Sequence, residues 1–497
     1  MVLLCDIKSM STTHRWPVLL AMLIVIFIAN VDATAVNLAL PQMTTTFKLK
    51  DWMVEWVING YLISSACFFV IGGRLGDSFG KCKIFIIGLT IFILSSLLAC
   101  LATNSFEIIL ARIIQGFSFA LTYPMSIIIL SQVFPKNKQG LAMALVVSAS
   151  GFSIAAGPMV GGLLLHWLNW RAIFAINIPL GLIAILIPWL IVKDNPEARD
   201  NQFKDITGSL LLIGSLFYFI YTLNHLADVN TFKKIGQLSI SVALLVCFFH
   251  HEGRVDHPLL NKKIFSHKNY IFANIIRMFC QFIFIGLLFI LPVTLQNIYA
   301  IPPLKISLLL LPLTILMGIG SIGVGKWIAQ VNSLLPVTLG CLVMLIACMW
   351  LSFMPASLSN IYLEVGLSMV GIGFSLVFPG LNNIALTGHK PKLSGQAFGL
   401  YYTNATLAGA VGISISAWIL KFFSQWHALK IPKLVPLASG LTPINLKYYP
   451  ADVLSVLHQI FHRGWSALFW FYSLLMLIAL ILSLWKYRPN IGPALFC

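Results

Sequence analysis

Long apolar stretches alternate with short polar connections along the whole chain. Fourteen stretches are apolar over roughly 20 residues, which is the length a helix needs to cross the hydrocarbon core of a bilayer. They begin near Trp16, Asp51, Lys83, Glu107, Leu141, Arg171, Ile206, Ile235, Tyr270, Lys305, Leu335, Asn360, Gly395 and Trp465. The first, from about Pro17 to Leu40, is too long for the apolar part of a signal peptide. The pattern predicts an all-α membrane protein with 14 transmembrane helices.

Composition and charge support a membrane protein and exclude other classes. Hydrophobic residues make up 59% of the chain and charged residues only 9%, whereas a soluble domain carries about 25% charged residues. The net charge of +17 would suggest nucleic acid in a soluble protein. Here most Lys and Arg fall in alternate connections, as the positive-inside rule requires, so no nucleic-acid partner is expected. We expect a multi-pass protein of the inner (cytoplasmic) membrane, with both termini cytoplasmic and basic residues near anionic lipid headgroups.

An internal repeat divides the chain into two halves. One constant shift along the sequence pairs Pro124 with Pro379, Gly116 with Gly371, and Gly140 with Gly395. This predicts two six-helix pseudo-repeats with two extra helices between them, a plan found in secondary transporters. The predicted boundaries are a cytoplasmic N-terminus 1–15, a first half 16–193, linker helices and connectors 194–268, a second half 269–486 and a cytoplasmic C-terminus 487–497. Within the second half, 424–464 is predicted to be external, with a short helix over Ala451 to His462.

The first apolar segment contains an acid. Asp32 lies in the string ANVDATAVNLALP, among the polar residues Asn30, Thr34 and Asn37. A charged group at this depth costs at least ~2.5 kcal/mol, so it needs a partner or a role. Because burial favours the neutral form of a carboxyl group, proton binding is a candidate role for Asp32. A permanently paired structural Asp is the alternative.

The fourth segment contains a base. Arg112, Gln115 and Gly116 share one helical face in the string EIILARIIQGFSFALTYP. An intramembrane Arg should face the bundle interior or a wet cavity. The alternative is that Arg112, only a few residues after Glu107, extends to the headgroups of the outer face.

Two glycine-rich strings predict close packing. In GGRLGDSFGKCK, between segments two and three, Gly73 and Gly80 permit a tight turn and close helix contact. Asp77 and Lys81 in the same string suit a helix end and the cytoplasmic face. In segment five, SGFSIAAGPMVGG contains residues that let a helix bend and pack tightly. These residues are Gly157, Pro158, Gly161 and Gly162.

The ninth segment carries a polar stripe. Asn274, Arg277 and Gln281 follow at i, i+3 and i+7, so they share one helical face. Segment nine corresponds to segment one in the second half, and the stripe is therefore predicted to face the cavity between the halves. For Arg277 the alternative is extension to the cytoplasmic face. Other candidate cavity residues are Tyr61, Gln115, Tyr123, Tyr402 and Asn404, together with Asn30, Thr34 and Asn37.

Together these strings resemble the 14-helix drug:proton antiporter family of the major facilitator superfamily, of multidrug-efflux type. The spacing of Gly73, Asp77, Gly80 and Lys81 is typical of the superfamily, and the Gly157-Pro158 string resembles the antiporter signature. The resemblance implies export of amphipathic small molecules in exchange for protons by alternating access, without a cofactor because the proton gradient drives it. It also implies that Asp32 carries the proton and that Arg112 is its partner.

Other functions stay open at this point. The same fold could import or exchange a specific metabolite or a siderophore-like compound, because fold does not fix function. A membrane-embedded enzyme is disfavoured, since the segments contain no nucleotide loop, metal spacing or His/Asp/Glu cluster. A channel is disfavoured because Gly/Pro-interrupted repeats favour rocking over a fixed pore. A periplasmic adaptor, used by some relatives, is also left open.

Overall fold

The computed structural model describes residues 5–6, 12–48, 51–193, 205–224, 231–255, 259–260, 262–299, 301, 303–328, 330–355, 359–386, 393–428 and 451–487. Over these ranges the chain is helical, apart from two paired two-residue strands, β1 (Cys5–Asp6) and β2 (Val192–Lys193), and a short 3-10 helix (Lys262–Ser266). The helices are α1 (Thr12–Phe47), α2 (Asp51–Phe79), α3 (Lys81–Leu101), α4 (Ser105–Val133), α5 (Lys136–Trp167), α6 (Arg171–Ala175), α7 (Asn177–Ile191), α8 (Ile206–Asn224), α9 (Thr231–Glu252), α10 (Lys268–Tyr299), α11 (Pro303–Ile328), α12 (Leu334–Ser352), α13 (Asn360–Leu386), α14 (Ser394–Ala428) and α15 (Ala451–Tyr487).

All fourteen predicted segments are helical, with α6 and α7 together forming the sixth. Within the described ranges, 12 helices are long and apolar enough to cross a membrane, and α5 is a thirteenth if its two parts count as one span. These parts meet at 43°, beside Gly157 and Pro158, where a proline removes a helical N–H donor. The apolar part of α8, Ile206–Thr222, is shorter. The fold is therefore an all-helical multi-pass bundle, while the count of fourteen crossings stays a prediction.

The helices pack as two similar halves. In the first half α2 and α3 pack on α4, α1 packs on α5, and α3 packs on α7. The second half repeats this arrangement, because α11 and α12 pack on α13, α10 packs on α14, and α12 packs on α15. The two most extensive contacts between the halves, α5 with α11 and α2 with α14, are related by the repeat, and so are two smaller ones, α5 with α13 and α4 with α14. Helices α8 and α9 pack on each other outside the two halves, with α8 against α2 and α14.

The sixth predicted segment is interrupted at Ile176. The reason is Pro179, which has no N–H to donate to the carbonyl of Ala175 and so breaks the regular ladder of helical bonds. As a result Asn177 stands at the start of α7, where its side chain is fully buried.

The last two helices extend further than the sequence suggested. Helix α14 continues to Ala428, and Ala451 to His462 form the first turns of α15 rather than a separate short helix. Helix α15 continues through Gly464. Because glycine has no side chain, α15 can lie close to α14 at this position: a Cβ on Gly464 would stand 2.7 Å from the carbonyl oxygen of Leu420. Residues 429–450 of the predicted external segment lie outside the described residues.

Glycine contacts set the helix spacing, and this can be tested at Gly72. A Cβ on Gly72 would stand 2.5 Å from the Ala120 carbonyl oxygen of α4, whereas a Cβ on Gly323 in α11 would meet nothing within 4 Å. We expect Gly72→Ala to destabilise the protein by about 1–3 kcal/mol through overpacking. Gly323→Ala should be neutral or stabilising by up to ~1 kcal/mol, since alanine favours the helix. Thermal unfolding in detergent measures both variants, and equal melting temperatures would contradict the close α2–α4 contact.

Candidate functional site

A buried ion pair joins α1 to α4. Arg112 donates through Nη1 to Oδ2 of Asp32, and the two side chains are 2% and 0% exposed. Arg112 also donates from Nε to the Val57 carbonyl of α2 at 3.0 Å, and its guanidinium carbon lies 4.6 Å from the ring centroid of Tyr61. Arg112 thus points into the bundle and not toward the headgroups. The sequence-based candidates for the proton-linked acid and its partner are in direct contact.

Three amide and hydroxyl side chains complete the network around this pair. Gln115 accepts from Arg112 at 2.9 Å and donates to the Ser96 hydroxyl of α3 at 2.9 Å. Asn177 donates from Nδ2 to the second carboxylate oxygen of Asp32 at 3.0 Å, and to Ser96 at 3.3 Å. Both oxygens of the carboxylate are therefore held by donors. Sequence reasoning missed Asn177 and Ser96; the polar residue beside the Pro179 interruption was the available signal for Asn177.

The network forms a polar layer between two apolar clusters, of which the larger continues into the second half. On one side lie residues of α1 to α4 such as Ile28, Phe92 and Leu121; on the other lie Val36, Val57 and others near the opposite ends of these helices. Water-poor surroundings of this kind lower the local dielectric constant, so the attraction between the paired charges is stronger than at a surface. The same surroundings make an unpaired charge costly. Loss of the charge on Asp32 would therefore leave Arg112 buried without compensation.

Helix α5 packs closely on α1 beside the ion pair. A Cβ on Gly157 would overlap Thr34, standing 2.8 Å from its Cβ, and a Cβ on Gly161 would stand 2.9 Å from the Cβ of Ala35. Thr34 itself donates to the Asn30 carbonyl at 2.8 Å. The glycines thus let α5 touch the turn of α1 that follows Asp32. By contrast, a Cβ on Gly162 would meet no atom within 4 Å, so Gly162 makes no such close contact. The side chains of two other predicted residues, Asn37 and Pro158, lie outside the described residues.

The turn between α2 and α3 binds the first turn of α14. Gly80 has a φ of 106°, a conformation that favours glycine. Asp77, fully buried, accepts from the backbone N–H groups of Gly395 at 2.9 Å and Gln396 at 2.8 Å, while Lys81 lies 3.2 Å from its Oδ1. A carboxylate is stabilised at a helix N-terminus, where N–H groups lack helical partners. Asp77 therefore links the first half to the second.

Backbone contacts between glycines hold the two halves together at the same end of the bundle, here called the Gly80 end. Cβ atoms on Gly73 of α2 and Gly395 of α14 would each overlap the carbonyl oxygen of the other residue. Gly140 of α5 and Gly325 of α11 repeat this arrangement, with separations of 2.9 Å and 2.7 Å. Since Gly140 and Gly395 are also partners in the sequence repeat, the two contacts are related by the repeat. The halves are closed upon each other at the Gly80 end.

A cavity of about 180 Å³ lies between the halves, lined by α1, α2, α4 and α5 from the first and α10, α11, α13 and α14 from the second. Five of the predicted cavity residues line it, namely Asn30, Tyr123, Arg277, Gln281 and Tyr402. Asn30 stands only two residues from Asp32 on α1. The cavity and the ion pair thus share one helix.

The remaining predicted cavity residues make contacts elsewhere. Tyr61 covers Arg112, and Gln115 belongs to the ion-pair network. Asn404 donates to Asn274 at 3.0 Å, so these two amides join α14 to α10 and satisfy each other. None of these, nor Thr34, is among the residues that line the cavity. Polar side chains in a bundle bind each other across helices as readily as they face a cavity.

Aromatic rings form much of the cavity wall. These are Phe69, Phe119, Tyr123, Phe284, Phe378 and Tyr402. Tyr123 and Tyr402 touch across the two halves, with ring centroids 5.0 Å apart. Sequence reasoning missed the four phenylalanines, because a phenylalanine facing lipid and one facing a cavity have the same sequence signal. Such a wall suits an apolar, aromatic ligand.

The chain is similar to known proteins over most of its length. A family model described as Major Facilitator Superfamily matches residues 22–413. The tetracenomycin C resistance and export protein of Streptomyces glaucescens is 27% identical over 429 residues, covering 85% of this chain and 80% of that protein. The drug efflux pump JefA of Mycobacterium tuberculosis is 27% identical over 416 residues, covering 82% of each. The crystal structure of the human organic anion transporter MFSD10 superposes with a TM-score of 0.66 at 14% identity, covering 95% of this chain and all of that one; this likeness shows the fold alone.

The ion pair predicts strong coupling between its two residues. Removing one partner from a buried pair costs about 3–5 kcal/mol, because the other charge stays buried without compensation. We expect Asp32→Asn and Arg112→Gln each to lower stability by roughly this amount, and the double variant to lose much less than the sum. Thermal unfolding in detergent gives the three values, with Glu107→Gln near the start of α4 as the matched control. Additive losses would show that the two side chains do not interact.

Proposed function

Since this chain belongs to the Major Facilitator Superfamily, we propose that it exports amphipathic small molecules in exchange for protons, by alternating access. Its relatives include proteins named for drug efflux and for resistance and export, which supports the direction of transport. The proton gradient is the proposed energy source, so no cofactor is needed. The protein is a transporter whose substrate is a small molecule.

One observation carries the proposal of proton coupling. The Asp32 carboxylate is fully buried, paired with Arg112, and located on the helix that also contributes Asn30 to the cavity. A proton on Asp32 cancels the charge that Arg112 compensates, and the pair loses its attraction. The described part of the first half offers no comparable deeply buried acid outside the Asp77 contact at the Gly80 end. Asp32 is therefore the proposed proton carrier, and Arg112 the group that competes with the proton.

The packing of α1 indicates how the charge change would be transmitted. Thr34 and Ala35, just after Asp32, press on Gly157 and Gly161 of α5, and α5 in turn packs on α11 of the second half. If α1 moves when the ion pair breaks, the packing of α1 against α5 therefore changes. Because α5 spans the interface between the halves, this movement favours a change in their relative tilt. Ligand in the cavity acts on the same helix through Asn30.

The contacts at the Gly80 end serve as the proposed cytoplasmic gate. Lys81, Lys83, Lys136 and Lys138 flank this end, and basic residues favour the cytoplasmic side. In the described arrangement the Asp77 cap and the two glycine pairs close this gate. To open the gate, the two charge-assisted hydrogen bonds of Asp77 must break and the close backbones must separate. Because these contacts are either made or broken, the gate has two discrete states, closed and open.

Proton coupling predicts a specific defect in Asp32→Asn. In proteoliposomes that contain a pH-sensitive dye and carry an imposed pH gradient, transported compounds should drive proton flux through the wild type. A panel of amphipathic cations, anions and zwitterions is the set of test compounds. Asp32→Asn should lose the coupled flux, because an amide cannot exchange a proton, while Asp32→Glu should retain part of it.

Glu107→Gln supplies the matched control, since it changes a carboxyl to an amide on α4 outside the network. Its coupled flux should equal that of the wild type. Uphill transport retained in Asp32→Asn would remove Asp32 from the mechanism. Absence of coupled flux for every compound in the wild type would favour an importer or exchanger of a specific metabolite.

A further inference from the structure

Arg277, unlike Arg112, has no acidic partner among the described residues. Arg277 of α10 is 8% exposed and lines the cavity. Its guanidinium carbon lies 4.2 Å from the ring centroid of Phe378, 5.6 Å from that of Tyr401 and 5.8 Å from that of Tyr402. Among the described residues no carboxylate pairs with it, and its Nε makes no hydrogen bond. Arg277 does not extend to the cytoplasmic headgroups.

A buried cation without a counter-ion is unusual because of its cost. Arginine stays protonated under all physiological conditions, so it cannot escape the cost by losing its proton. Contacts with aromatic faces stabilise a desolvated guanidinium only in part. Buried guanidinium groups are otherwise satisfied by bidentate pairing with a carboxylate or a phosphate. The Arg277 guanidinium, with its Nε unpartnered among the described residues, can therefore donate to an anion in the cavity.

A second unsatisfied atom stands one helical turn away. Gln281 lines the same cavity, and its Oε1 is buried without a hydrogen-bond partner among the described residues. Residues at i and i+4 are neighbours on one face of a helix. The N–H donors of the Arg277 guanidinium and the acceptor oxygen Oε1 of Gln281 therefore lie next to each other. Together they match a ligand with an anionic group and a hydrogen-bond donor beside it.

The rest of the cavity restricts the ligand further. Phe69, Phe119 and Phe284 are among the rings of its wall, and no acidic residue lines it. The volume of about 180 Å³ suits a molecule of one or two fused aromatic rings. A cationic ligand would meet Arg277 without compensation, which like-charge repulsion disfavours.

We propose that the cavity binds small aromatic acids, with the carboxylate on Arg277, an adjacent hydroxyl or amine on Gln281, and the ring among the phenylalanines. This inference deepens the proposed function and rests on it only in taking the cavity as the substrate site. The described cavity wall contains one cation, Arg277, and no acid, and this favours an anionic substrate.

Equilibrium binding to purified protein in detergent tests the proposal without a proton gradient. The probes are three compounds of similar size, namely a hydroxynaphthoate with its hydroxyl in the meta position, where it cannot bond to its own carboxylate, naphthoate, and naphthylmethylammonium. Their intrinsic fluorescence reports binding. The hydroxynaphthoate should bind about fivefold more tightly than naphthoate, the effect of one hydrogen bond, and the ammonium compound should not bind measurably.

Variants assign the recognition to the two residues. Arg277→Gln should weaken hydroxynaphthoate binding at least about thirtyfold, the lower range for a buried charged hydrogen bond. Arg277→Lys keeps the charge but lacks the planar guanidinium. Its affinity for hydroxynaphthoate should lie between those of Arg277→Gln and the wild type. Gln281→Leu should abolish the preference for the hydroxyl and leave naphthoate binding unchanged.

Arg171→Gln is the matched control, because Arg171 stacks on Trp170 at 4.4 Å in the first half, outside the cavity. It should bind hydroxynaphthoate like the wild type. Unchanged binding in Arg277→Gln, or ammonium binding as tight as that of the acids, would overturn the proposal. Asp32→Asn should still bind hydroxynaphthoate in detergent. If the protein is not proton-coupled, the flux assay fails while this binding remains; if the cavity does not recognise aromatic acids, the binding itself is absent.

Discussion

A charge inside a membrane must be neutralised, and in this protein that requirement fixes the core of the first half. Asp32 and Arg112 can form their pair only if α1 and α4 approach at one level, and the second carboxylate oxygen demands Asn177 from α7. Gln115 and Ser96 then bring α3 into the same layer. Four helices are thus held in register by one ion pair. Apolar clusters on both sides keep the layer dry, which strengthens the pair and makes its loss costly.

Close backbone approach is the second constraint, and it explains the glycines. Lipid chains are as apolar as leucine, so helices in a bilayer associate through tight packing and not through the hydrophobic effect. Gly73 with Gly395 and Gly140 with Gly325 bring the halves together at one end, and Gly157 brings α5 onto α1 beside the ion pair. The interface that closes the bundle and the helix that carries the acid are therefore mechanically connected. A change of charge in the first half can reach the cavity between the halves along this path.

Sequence patterns predicted the helices well because membrane helices are long, uniformly apolar and bounded by charge. The ion pair and the glycine-rich turn were also predictable, since charged residues in apolar spans and closely spaced glycines have few other uses. Assignment of the cavity was harder. Periodicity gives a helical face but not the neighbour that it meets, and so Asn274 and Asn404 were placed in the cavity although they bind each other. Asn177 was overlooked because Pro179 signals the break in the helix but not the neighbours, Asp32 and Ser96, that Asn177 meets there.

Two arginines show how far the surroundings decide a role. Arg112 and Arg277 both lie within apolar spans, yet one is neutralised by an acid and the other is surrounded by aromatic rings beside a cavity. The first suits competition with a proton, and the second suits recognition of a ligand anion. Separate sites for the proton and the ligand, connected through α1, would permit exchange, because each ligand can then change the affinity for the other.

Proton release on ligand binding tests this coupling most directly. A compound that drives proton flux in liposomes is added to purified protein in weakly buffered detergent solution, and the change in pH is recorded. Our account predicts that the wild type releases protons as the compound binds, and that Asp32→Asn binds the same compound without release. Binding without proton release in the wild type, or equal release in Asp32→Asn, would contradict the assignment of Asp32 as the proton carrier.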